Sequence, residues 1–66
     1  MNVNEKIVTE FIRRNFDISG FPGENLTKFA DLIKDGNDIA AAEEYAKTTG
    51  TGLPEAHLAV TVTKSL

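Results

Sequence analysis

The chain has 66 residues and a mass of 7.2 kDa, with 41% hydrophobic, 26% charged and 8% aromatic residues. That is the composition of one small folded domain, residues 1–66, rather than of a disordered or fibrous chain. Ten acidic residues against seven basic ones leave a net charge of −3, and there is no cysteine and a single histidine. These counts exclude disulfides, thiolate metal sites and a strongly basic nucleic-acid binder, and they leave no set of histidines to hold a metal.

A chain this short buries only about 60% of its unfolded surface. With neither disulfide nor metal as a staple, well-packed helices or pairing of two copies must supply the stability. The opening Met1–Lys6 has no basic stretch followed by a long apolar run, so the expected compartment is the cytoplasm. No segment approaches the roughly 20 apolar residues of a membrane span.

The pattern predicts an all-α bundle of four short helices, at 3–15, 24–34, 39–48 and 54–63. In the first segment Val3, Ile7, Val8, Phe11 and Ile12 recur at helical spacing, while Glu5, Glu10, Arg13 and Arg14 fall largely on the other face. Asn2 and Glu5 have the spacing of a capping box. A loop follows, punctuated by Asn15, Asp17, Ser19, Gly20, Pro22 and Gly23. Its apolar residues Phe16, Ile18 and Phe21 are expected to pack onto the core. The second segment carries Leu26, Phe29, Ala30 and Ile33 at i, i+3, i+4 and i+7. Gly36 is suited to a positive φ after it, and Asp38 to capping the next helix.

The third segment is rich in alanine (Ala40, Ala41, Ala42, Ala46), a strong helix former whose small side chain lets another helix approach closely. Thr48-Thr49-Gly50 reads as its end. In the fourth segment Pro54 fits the first turn, where no N–H is required, and Ala56, Ala59 and Val60 point inward. Its tail, Leu58 to Thr63, holds four β-branched residues that would also suit a strand. No second strand offers a pairing partner, so helix is predicted.

Chemistry is sparse. His57 is the one side chain that titrates near neutrality, and no nucleophile elbow surrounds Ser19 or Ser65. Glu43 and Glu44 are adjacent on a helix and diverge by about 100°. Asp35 and Asp38 lack the alternation and closing glutamate of a calcium loop. Gly20-Phe21-Pro22-Gly23 lacks the Lys-Ser/Thr of a phosphate loop. No catalytic residue, cofactor or metal site is therefore assigned. The basic residues Lys6, Arg13 and Arg14 cluster, but DNA binders make about six to ten phosphate contacts, which seven dispersed cations supply poorly.

Residues 39–60 resemble a known motif. Ile39-Ala40, Thr49-Gly50, Gly52-Leu53, Glu55-Ala56 and Val60 align without a gap with the helical hairpin in the C-terminal domain of the bacterial ribosomal stalk protein. A similar Thr-Gly-x-Gly turn occurs in the ubiquitin-associated-type domain of elongation factor Ts. The resemblance implies a stable helical hairpin with Leu53 plugging its corner and Ala56 allowing close packing. In the stalk family this hairpin docks translation factors through lysines and an arginine; the matching positions here hold Glu43, Ala46 and His57. Gly20-Phe21-Pro22 with Asn37-Asp38 also resembles ubiquitin-associated three-helix domains, whose loop binds apolar patches.

The expected function is a small non-catalytic protein-interaction or regulatory module that binds another protein or a second copy of itself. The candidate contact residues are Ile18, Phe21 and Pro22 in the loop, Glu43, Tyr45 and Ala46 in the third segment, and His57 in the fourth. The alternative is a helix-turn-helix regulator that binds DNA as a dimer, using the third and fourth segments.

Overall fold

In the computed structural model, which describes residues 3–66, the chain forms four helices: α1 (Val3–Arg13), α2 (Glu24–Lys34), α3 (Asp38–Thr49) and α4 (Leu53–Lys64). Among the described residues there is no strand. The predicted all-α bundle is the observed one. Asn2, half of the expected capping box, lies outside the described residues.

The helix ends show which local chemistry sets each boundary. α1 stops at Arg13, two residues before the predicted end. Asn15 takes a left-handed φ of 63°, its N–H donates to Ile12 O, and the Phe16 N–H donates to Phe11 O at 2.8 Å. This is the double bond pattern of a Schellman motif, with asparagine in the usual glycine position. The apolar contact that accompanies such motifs is present as well: the Phe16 ring packs edge-on against Phe11, with centroids 5.3 Å apart. α2 ends in the same way. Gly36 (φ 83°) donates to Ile33 O and Asn37 to Leu32 O, as the glycine led us to expect. α3 ends on the simpler left-handed cap, Gly50 (φ 78°) donating to Ala46 O.

Asp38 does not cap α3. Asn37 occupies the cap position without a side-chain hydrogen bond, and Asp38 is the first helical residue. Its carboxylate instead accepts from Lys64 Nζ at 2.6 Å, which ties the start of α3 to the end of α4. A long-range partner has displaced the local one. The tail of α4 is helical through Lys64 although it is β-branched. Thr61 and Thr63 donate their hydroxyls to the carbonyls of His57 and Ala59, one turn back, an arrangement open to threonine within a helix.

α3 is the central element and packs most extensively against α2 and α4. The core has two textures. On one side all five aromatic rings of the chain converge. Phe11, Phe21, Phe29 and Tyr45 are fully buried, and Phe16 packs against them. Phe11 and Phe21 stack 5.9 Å apart, while Phe21 meets Phe29 at 5.1 Å and Tyr45 at 5.0 Å edge-on. Such pairs contribute roughly 0.5–1.5 kcal/mol beyond the area they bury. On the other side, Ala41 and Ala42 of α3 and Ala56, Ala59 and Val60 of α4 are buried.

The loop between α1 and α2 crosses the aromatic end as expected, with Phe21 buried and Phe16 and Ile18 half-buried. The Tyr45 hydroxyl donates to the Asp17 carbonyl. Asn25 Nδ2 donates to Gly20 O at 2.8 Å. Gly20 itself has a left-handed φ of 66°, so a side chain there would be strained.

Candidate interaction surface

The seven residues singled out from the sequence do not form one surface. Phe21 and Tyr45 are completely buried. Their rings hold the core together, and neither side chain is open to a partner. This corrects their reading as contact residues, and the reason is the loop, which folds its aromatic residue inward and accepts the tyrosine hydroxyl. Ile18 is half-buried against the same core, leaving Pro22 as the exposed side chain of that segment.

The remaining three residues all lie on the α3–α4 hairpin. α3 and α4 are joined by a three-residue turn at one end and by the Asp38–Lys64 ion pair at the other, so they run antiparallel as neighbours. Lys28 of α2 reaches Glu44 at 3.6 Å and marks the flank of α3 that α2 covers. The opposite flank carries Ile39, Glu43 and Ala46 at i, i+4 and i+7. Along α4, Leu53, His57 and Thr61 follow at i, i+4 and i+8. Glu43 and His57 are exposed, and Ala46 is half-buried between the helices.

Both helices of the hairpin also expose large apolar residues that the sequence pattern does not single out as contacts. Ile39 is 71% exposed, Leu58 57% and Leu53 49%. Leu53 therefore does not plug the corner of the hairpin; Gly50 makes the reversal and the leucine projects beside it. A signal was present in the sequence. At 100° per residue, Ile39 lies roughly 110° from the mean direction of Ala41, Ala42 and Tyr45, and Leu58 lies roughly 150° from that of Ala56, Ala59 and Val60. Among the described residues, six large hydrophobic side chains are exposed: Ile39, Leu53 and Leu58 on the hairpin, Leu66 after it, and Val3 and Ile12 on α1.

The charged groups are largely engaged with one another. Arg13 and Arg14 both pair with Glu10, Arg13 through its Nη2 at 2.8 Å. The Arg13 hydrogen bonds hold the Glu10 carboxyl below its ordinary pKa and raise that of Arg13 itself. The basic cluster of α1 is therefore partly neutralised from within. Lys28 and Lys64 are paired as well, so four of the seven cations lie within 4 Å of a carboxylate. In the loop, Asp17 accepts the Ser19 N–H at 2.8 Å, a bond that lowers its pKa. Tyr45 is pushed up to about 12, first by burial and then by the negative charges of Asp17 and Glu55, partly offset by its hydrogen bond with Thr49.

No nucleophile is assembled around the histidine. The His57 ring makes no hydrogen bond among the described residues; Ser19 lies in the Asp17 turn, and the Ser65 hydroxyl donates to Val62 O. The described residues contain no cluster of three or more His, Asp or Glu side chains placed to hold a metal. The surface depressions are open grooves. One of about 630 Å³ runs along α2 past Glu24, Lys28, Asp31 and Asp35, and one of about 560 Å³ lies where the start of α1 meets the ends of α2 and α4. No helix among the described residues is long and apolar enough to cross a membrane.

Comparison with protein-family models, with curated proteins and with solved structures finds no match for this chain.

Proposed function

We propose that this chain is a non-catalytic protein-interaction module that binds through the outer face of its α3–α4 hairpin. One observation carries this reading: three large aliphatic side chains, Ile39 of α3 and Leu53 and Leu58 of α4, stand exposed on the hairpin. On the same two helices Glu43 and His57 are exposed and can supply polar contacts, and Ala46 is half-buried. An apolar centre with a polar rim is the composition of a protein-binding patch. The resemblance of residues 39–60 to the ribosomal stalk hairpin supports a docking role. The replacement of that hairpin's basic contacts by Glu43, Ala46 and His57 argues for a different partner. A second copy of the chain is the simplest alternative occupant.

The DNA-binding reading has weaker support. Arg13, Arg14, Lys28 and Lys64 are engaged by carboxylates, and α4 offers only His57 and Lys64 for a phosphate backbone.

The test compares wild type with the double variant Ile39→Ser/Leu58→Ser. Light scattering reads self-association, and co-purification from a lysate of the source cell reads partners. The proposal expects a defined dimer or a defined partner with the wild type, lost in the folded double variant. A wild type that stays monomeric and recovers nothing overturns it, as does a double variant that recovers the same partner. Binding of mixed duplex DNA near 10 µM at low salt, within the usual non-specific range, would favour the DNA reading instead.

A further inference from the structure

We draw no further inference here: the strongest candidate, the exposed aliphatic side chains Ile39, Leu53 and Leu58 on the α3–α4 hairpin, belongs to the surface already described, and nothing in the structure shows what covers it.

Discussion

The two halves of this molecule solve the same problem with opposite materials. At the α1–loop–α2 end, five aromatic rings fill the space between elements that are not closely packed backbone to backbone. At the α3–α4 end, four buried alanines let two helices come together, so little volume has to be filled. The consequence shows at the surface. Rings at the first end are used up in the core, whereas the large aliphatic residues of the hairpin have no interior to enter and stand outside. A core built on alanine leaves its neighbouring leucines and isoleucine exposed.

This contrast can be broken by substitution. The largest effect is expected at the aromatic end. Phe21→Ala removes a ring in contact with Phe11, Phe29 and Tyr45, and deletions of this kind cost about 3–5 kcal/mol. A 66-residue domain has a total stability of only about 3–10 kcal/mol at typical per-residue values. Urea denaturation followed by circular dichroism should therefore find a sharply lowered midpoint, with the variant unfolded without urea if wild type lies at the lower end of that range. The hairpin should fail in the opposite sense, by crowding. Ala42→Leu forces a larger side chain into a fully buried site and should cost about 1–3 kcal/mol in the same assay. If Ala42→Leu were neutral, the close approach of the alanine-lined helices would be disproved.

A smaller effect is expected from the hydroxyl that straps the loop to α3. Tyr45→Phe keeps the ring and removes the donor to the Asp17 carbonyl, at a cost of about 0.5–1.5 kcal/mol. The same variant sharpens the pH dependence. The phenol is raised from 10 to about 12 in the folded protein. Its neutral form is the one the fold favours, so its contribution is complete below pH 10 and is lost as pH rises toward 12. Wild type should lose stability across that window, and Tyr45→Phe should lose less; equal alkaline slopes would rule out the strap as their source. The smallest effect on stability is expected on the outer face. Ile39→Ser/Leu58→Ser should fall within about ±0.5 kcal/mol of wild type, since both side chains are mostly exposed. A large loss there would mean that these residues support the fold, and the comparison of the two halves would need redrawing.

Much of this architecture is legible in local patterns. The apolar spacing of Leu26, Phe29, Ala30 and Ile33, the glycine at 36 and the proline at 54 locate helices and turns because backbone sterics and helical periodicity act within a few residues. The departures come from partners far along the chain or from unusual caps. Asp38 has the position of a cap, but its carboxylate pairs with Lys64, 26 residues away. Asn15 ended α1 early by adopting a conformation more often left to glycine. For the candidate site, Glu43, Ala46 and His57 could be grouped through the hairpin. The burial of Phe21 and Tyr45 could not be distinguished from exposure, because an aromatic residue in a loop and one on a helix look the same until the loop is laid across the core.

The sequence alone determined that the chain is helical, how many helices it has, and where most of them turn, because these properties follow from side-chain periodicity and from the φ preferences of glycine, proline and asparagine. The tertiary structure decided which apolar residues became interior and which remained outside. That partition depends on how closely the helices approach, and closeness is a property of pairs of elements: alanine against alanine drew α3 and α4 together and left Ile39, Leu53 and Leu58 facing water.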